Sequence, residues 1–172
     1  GVLRLSRMQE NGRRQIIAFG YPGDVVGFPA NGEHTTDCKA LSDAFLISYR
    51  REDLECGTTD PDLHQELLQA ALSEISDMQD HFMMLGQKSA SEKIASLLCA
   101  LADRVGEPIG QYVEFSLPMS RCDIADFLGL TTETVSRCLT QLRKCKIIAV
   151  SKIHTVVILE PDALAALAEG NG

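Results

Sequence analysis

The chain has 172 residues, 45% apolar and 23% charged, with a formal net charge of −8. That much apolar surface offsets the entropy of ordering one or two domains, and the acidic balance excludes a protein whose whole surface meets nucleic acid. No apolar run approaches the roughly 18 residues of a membrane helix. The six cysteines contain no CxxC pair, so they read as free thiols of a cytosolic protein rather than a disulfide or zinc framework.

The first 50 residues read as short strands and turns. Val2 to Ser6 alternates, Gln9-Glu10-Asn11-Gly12 turns, and Arg13 to Phe19 makes a second strand. Tyr21-Pro22-Gly23-Asp24 is a further turn before Val25-Val26-Gly27-Phe28. Pro29 to Thr36 is polar and loop-like, and Asp37 to Arg50, with its run Ala44 to Tyr49, is expected to return to strand. These make part of an antiparallel sandwich or barrel, and about four strands are too few to close one. The chain opens as if mid-strand, with neither methionine nor leader, so truncation is expected.

At Asp60-Pro61 the period becomes helical, with Asp60 as cap and Pro61 in the first turn. Leu68, Ala71, Ile75, Met78, Phe82 and Leu85 recur at intervals of three and four over Asp62 to Gly86. That is a heptad seam, and it predicts a helix that pairs with its own copy across a two-fold axis. A second helix, Ser89 to Val105, carries Ile94, Leu97, Leu98 and Leu101 on one side. Gly106 to Gly110 stops it, and Tyr112 to Leu117 alternates as a strand.

Next comes the most informative segment. Ser120 and Asp123 have the spacing of a capping box, with Asp in place of Glu. A short helix follows to Leu128, burying Ile124, Ala125 and Leu128. Gly129 permits a sharp turn, and Thr131 or Thr132 caps a second helix whose inward stripe is Val135, Leu139 and Leu142. This is a helix-turn-helix in length, turn residue and period. Its second helix turns Thr132, Glu133, Ser136, Arg137 and Thr140 outward. Arg137 can donate two bonds to guanine, Glu133 can accept from cytosine or hold the Arg side chain, and Ser136 can meet a base or a phosphate. Thr131, Thr132, Thr134, Thr140, Arg143 and Lys144 are candidate backbone contacts.

Lys146 to Val150 and Thr155 to Leu159 then form the hairpin wing of a winged helix, its tip offering Lys152 and His154 to the DNA backbone. Pro161 to Ala168 closes the fold as a short helix, and Gly170-Asn171-Gly172 is expected to fray. Charge agrees with this layout. Residues 52 to 81 hold nine acids and no Lys or Arg, whereas residues 118 to 155 hold six basic against three acidic side chains. A net acidic chain can thus meet a phosphate backbone through one basic face.

Partial sandwich, long helix and winged helix together resemble the layout of the Crp/Fnr family of bacterial transcription regulators, over essentially the whole chain. The stretch from Leu117 through Arg121, Asp123 to Thr131, and Glu133-Thr134-Val135-Ser136-Arg137 is similar to the FixK/Fnr-like branch. The turn Tyr21 to Gly27 resembles that family's sensor signature. The resemblance implies an α+β fold: a partial antiparallel β-sandwich of the cyclic-nucleotide-binding jelly-roll kind, a dimerisation helix, and a C-terminal winged helix-turn-helix. The expected domains are residues 1–60, 61–88 and 89–172. It further implies that Glu133, Ser136 and Arg137 read a TTGAT-type half-site, with double-stranded DNA, a second copy and RNA polymerase as partners, in the cytoplasm and away from membranes.

The sensor half departs from two patterns of that family. Gly32-Glu33 is followed by His34-Thr35-Thr36 with no Arg before Arg50, which disfavours a cyclic nucleotide. Ile47 stands near the place of the central cluster cysteine, with Cys38 nine residues earlier, which disfavours an iron–sulfur cluster without excluding one in a longer chain. No cofactor is expected within these residues.

Cys122, in a first helical turn, and Cys138, directly after Arg137, are candidate redox-sensitive thiols at the DNA face. No catalytic constellation is present, and His34, His64, His81 and His154 are scattered. The expectation is therefore a non-enzymatic homodimeric regulator, an activator of microaerobic or anaerobic respiration or of nitrogen-fixation genes. The alternative is a redox or small-molecule sensor module with repressive or vestigial DNA binding.

Overall fold

A computed structural model of the chain describes residues 1–28, 32–52, 60–152 and 154–170, and these divide into two compact units, Gly1–Met83 and Met84–Gly172. The first unit begins with three antiparallel strands, β1 (Leu3–Met8), β2 (Arg14–Gly20) and β3 (Asp37–Ala40), in the order β2-β1-β3. The Gln9–Gly12 turn forms as its sequence requires: the Gly12 amide donates to the Gln9 carbonyl at 2.9 Å, at a φ of +77°. Strict alternation fails at one point. The β1–β2 register shifts between Leu5 and Ser6, so that both are buried. Leu3, Leu5, Ile16, Phe19 and Tyr21 form the core of this unit's sheet. The Tyr21–Asp24 turn closes through the Asp24 amide on the Tyr21 carbonyl (3.0 Å) and the Tyr21 amide on Asp24 Oδ2 (2.7 Å).

The strand expected over Asp37 to Arg50 is made only as far as Ala40. Val25 to Phe28 is irregular, and after β3 the run Ala44 to Tyr49 makes no strand. Its side chains explain why. Phe45, Leu46 and Ile47 are strongly exposed, and among the described residues no neighbouring strand offers them a ladder. β-rich composition favours a strand only once a partner pairs with it. Part of the expected loop, residues 29–31, lies outside the described residues.

Helix α1 (Pro61–Gln87) starts where the sequence places it. Asp60 Oδ1 accepts from the Leu63 amide at 3.0 Å, and Pro61 occupies the first turn, where its missing N–H costs nothing. Leu67 is buried. Glu74 is half-buried, and desolvation, then the carboxylates of Asp24 and Asp77, hold its carboxyl above the ordinary range. A raised carboxyl pKa stabilises the fold at low pH, and that contribution is lost as pH climbs through the shifted value. Glu74→Gln is therefore expected to raise the urea midpoint at pH 7 and to flatten its fall from about pH 4.5 upward. An unchanged pH profile would show that Glu74 is solvated.

In the second unit, α2 (Ala90–Val105) opens with a full capping box between Ser89 and Glu92, and buries Ile94, Ala95, Leu97, Leu98 and Leu101. It ends at Gly106, whose backbone is extended and where any side chain would collide with the Ala102 carbonyl and Val113. A four-stranded antiparallel sheet follows in the order β4-β5-β7-β6, with β4 (Glu107–Ile109), β5 (Tyr112–Ser116), β6 (Ile148–Lys152) and β7 (Thr155–Ile158). The segment expected only to stop α2 is thus also a strand, and Pro108 fits it because β4 lies at the sheet edge. Helices α3 (Arg121–Leu128) and α4 (Thr132–Lys144) lie between β5 and β6, and α5 (Pro161–Ala168) closes the unit against α2.

Candidate nucleic-acid interface

The capping box at α3 forms with aspartate. Asp123 Oδ2 accepts from the Ser120 amide (3.1 Å) and from Ser120 Oγ (2.7 Å), while Ser120 Oγ accepts from the Asp123 amide (3.0 Å). Asp123 is buried, so all of this polar chemistry is satisfied locally. Ile124, Ala125 and Leu128 face inward as expected. Gly129 then takes φ 63° and ψ 38°, and the Leu130 amide donates to the Ala125 carbonyl at 2.9 Å. A Cβ at Gly129 would meet only Leu85 at 3.9 Å, so the glycine is required by its dihedrals and not by space. Gly129→Ala is expected to cost about 1–2 kcal/mol. Thermal unfolding followed by circular dichroism measures it, and a loss under a few tenths would refute the strained-turn account.

Thr131 caps α4, its Oγ1 accepting from the Thr134 amide at 3.1 Å. Val135, Leu139 and Leu142 are buried, which fixes the rotation of the helix and turns Thr132, Glu133, Ser136, Arg137 and Thr140 to solvent on one face. Two hydroxyls on that face are already engaged. Ser136 Oγ donates to the Thr132 carbonyl (2.8 Å), and Thr140 Oγ1 donates to the Ser136 carbonyl (2.7 Å). Their remaining capacity is to accept. In these rotamers they suit amino groups of bases better than phosphate oxygens, which also only accept. Thr131 and Thr134 share a hydroxyl contact of 2.8 Å at the N-terminal end.

The C-terminal end of α4 is built without glycine. The Lys146 amide reaches the Arg143 carbonyl (3.1 Å) and the Ile147 amide the Leu142 carbonyl (3.0 Å), with Lys146 at φ 57°. This is a Schellman closure with lysine where glycine is usual. It moves the start of the wing from the expected Lys146 to Ile148, because a left-handed residue cannot extend a strand. Arg143 and Lys144 are exposed in the last turn, where the helix dipole favours cations.

Arg121, absent from the sequence-derived contacts, belongs with these groups. It is half-buried at the first position of α3, and burial, then the neighbouring Arg143 cation, lower its guanidinium pKa. Two guanidinium groups within each other's field form a place that an anion relieves. Sequence spacing gives no hint of this pair, because it is made across two helices.

The remaining candidates are spread more widely. β6 and β7 form the wing hairpin, with Lys152 paired to Thr155. The His154 carbonyl accepts from the Leu117 amide at 2.6 Å, leaving its side chain exposed. The Lys152 side chain and Ile153 lie outside the described residues. Cys122 is exposed with Sγ 4.0 Å from Asp126 Oδ2, and Cys138 is half-buried. Cys145 is a further exposed thiol, accepting from Gln141 Nε2 at 3.4 Å.

On α1, Leu68, Ile75, Met78 and Phe82 are exposed, Phe82 by 76%, but Ala71 and Leu85 are half-buried. Leu72 and Met83, outside the expected seam, are exposed by 52% and 59%. The exposed stripe is therefore rotated from the expected register.

Cys38 stands exposed on β3, Ile47 is exposed, and among the described residues no three His, Cys, Asp or Glu side chains group to hold a metal ion. Cys56 lies outside the described residues. Among the described residues no helix is long and apolar enough to cross a membrane.

Residues 92–167 match the family model for the Crp-like helix-turn-helix domain, the segment that contains the capping box, turn and wing. The nitrogen fixation regulation protein FixK of Rhizobium meliloti is 37% identical over 167 residues, covering 97% of this chain and 74% of that protein. The chain belongs to the Crp/Fnr family of transcription regulators. It is a sequence-specific DNA-binding regulator of the FixK/Fnr kind, not an enzyme. The fumarate and nitrate reduction regulatory protein of Salmonella typhimurium is 35% identical over 98% of this chain and 68% of its own length. The structure of FixK2 from Bradyrhizobium japonicum superposes with a TM-score of 0.81 at 34% identity, covering 97% of this chain and 83% of that one. As in this regulator's relatives, the α+β architecture combines antiparallel sheets, a long helix and the C-terminal helix-turn-helix.

Proposed function

We propose that this regulator reads TTGAT-type half-sites as a homodimer, with Glu133, Ser136 and Arg137 as base readers and α4 as the helix that enters the major groove. One observation carries the reading: the three side chains stand together on the exposed face of a helix whose rotation is fixed by buried Val135, Leu139 and Leu142. Arg137 is assigned the bidentate guanine contact and Glu133 a cytosine amino group. Ser136, its proton already given to the Thr132 carbonyl, accepts from a base.

Arg121, Arg143 and Lys144 are assigned to phosphates, with Thr131, Thr132, Thr134 and the wing residues Lys152 and His154 beside them. Thr140 is the weakest of the backbone candidates, because its proton is committed within the helix. The domain reading assigns residues 1–60 to a sensor, 61–88 to dimerisation and 89–172 to DNA binding. Relatives named as activators, such as the transcriptional activator protein FnrL of Cereibacter sphaeroides, support activation, for which RNA polymerase is the proposed partner. The FixK names support target genes of nitrogen fixation, and we extend the proposal to genes of microaerobic or anaerobic respiration.

Fluorescence anisotropy with a TTGAT-N4-ATCAA duplex against a scrambled duplex, at fixed salt and with reductant, tests the reading. A preference of about a hundredfold or more with one dimer per duplex is expected. Equal weak binding to both would refute it. Repetition after oxidation tests Cys122 and Cys138, and loss of preference reversed by reductant is the expected mark of a switch.

A further inference from the structure

The rotated stripe on α1 has a composition that the expected seam did not. On a helix of about 100° per residue, Leu68, Leu72, Ile75, Gln79 and Phe82 fall within an arc of about 80°, at alternating intervals of four and three. From Leu68 to Phe82, Gln79 is the one polar residue of that arc. It is exposed, and with Ile75, Met78, Phe82 and Met83 it lines a shallow groove that is otherwise apolar. The acids of the helix are elsewhere. Glu66, Asp77 and Asp80 lie more than about 100° from the centre of the arc and are exposed, and Glu74 is half-buried against its own unit near Asp24. The borders of the stripe between Leu68 and Met83 therefore carry no charge.

Coiled-coil pairs choose register and partner through flanking charges or through a polar residue at a core position. Here only the second device is available. An apolar stripe without it would accept slipped registers, a third helix or any other apolar face. A glutamine amide holds both donors and an acceptor, so across a two-fold axis Gln79 can satisfy its own copy. A partner without a matching amide leaves it unpaired in an apolar surround.

We infer that Gln79 fixes the register and two-stranded state of the α1 pair and makes a second copy of this chain the preferred partner. The inference rests on the homodimer reading and adds to it the residue that selects the partner.

The test uses the whole 172-residue chain. Gln79→Leu is expected to lower the dimer dissociation constant at least tenfold and to produce trimers or tetramers by sedimentation equilibrium. Tagged wild-type chain mixed with Gln79→Leu is expected to form heterodimers about tenfold below the statistical share, because each would bury an unpaired amide. Unchanged affinity, a strict dimer and statistical mixing would overturn the role of Gln79. Ile75→Glu separates this from the reading beneath it: a dimer that survives that change would show that the stripe is not the interface, and this inference would fall with it. Both positions are exposed on one helix, and far-UV circular dichroism checks that the helix is retained.

Discussion

Chain carrying Ile75→Glu and Phe82→Glu together is expected to be monomeric and to lose operator binding, while each winged helix stays folded. Both side chains are exposed on α1, Ile75 by 53% and Phe82 by 76%, and both lie in the arc that contains Leu68 and Leu72. In a dimer four such side chains leave water, at about 1.5–3 kcal/mol each. Even the low end, about 6 kcal/mol, corresponds to a change of more than about ten-thousandfold in dimer dissociation before the added carboxylates repel one another. A palindromic operator is held by two half-sites bound at once, so a monomer forfeits the gain from the second contact. Sedimentation reports the assembly and anisotropy the operator affinity. Thermal unfolding of the second unit should not move, since its core residues Ile94, Leu98, Ile124, Leu128 and Leu164 are untouched. A monomeric variant that held the full operator as tightly as the parent would break the link between seam and DNA.

The helix-turn-helix was legible in the sequence because each of its signals is local. Ser120 and Asp123 cap within three residues, Gly129 supplies the left-handed turn, and Val135, Leu139 and Leu142 mark one helical face. What the sequence concealed depends on partners distant in the chain. Ala44 to Tyr49 has strand composition, but a ladder needs a neighbour, and none lies among the described residues. Glu107 to Ile109 has poor strand composition, yet β5 pairs with it at an edge that tolerates Pro108. The choice between Ala71 and Leu72 as the outward residue of α1 is equally hidden. Both satisfy an apolar period, and the burial of Leu67, about 40° around the helix from Ala71 and about 140° from Leu72, decides which one faces out. At the candidate site the base-reading face was visible as a period, whereas the neighbourhood of Arg121 and Arg143 arises only when two helices pack. Lys146 misleads for another reason. The left-handed closure of α4 is normally announced by glycine, and here a lysine occupies it.

Arg137 and Arg121 should fail in different ways when each is replaced by alanine, and the contrast separates reading from holding. Arg137 stands on the exposed face of α4 one turn after Glu133, where a guanidinium reaches base edges. Arg137→Ala is expected to cost about 1–3 kcal/mol on the cognate duplex and much less on a duplex already altered at the guanine it reads, so discrimination collapses at that base pair. Arg121 sits at the first turn of α3 within the field of Arg143, half withdrawn from water, which suits a fixed phosphate and not a base edge. Arg121→Ala should weaken cognate and scrambled duplexes alike and reduce the slope of log affinity against log salt by about one. The two measurements are one experiment, a salt series on matched and altered duplexes. If Arg137→Ala weakened every duplex equally, Arg137 would be a phosphate contact, and the readout would have to be reassigned to Glu133 and Ser136. If Arg121→Ala instead relaxed one base pair and left the salt slope intact, the guanidinium pair would belong to the reading face, and the boundary drawn between α3 and α4 would be wrong.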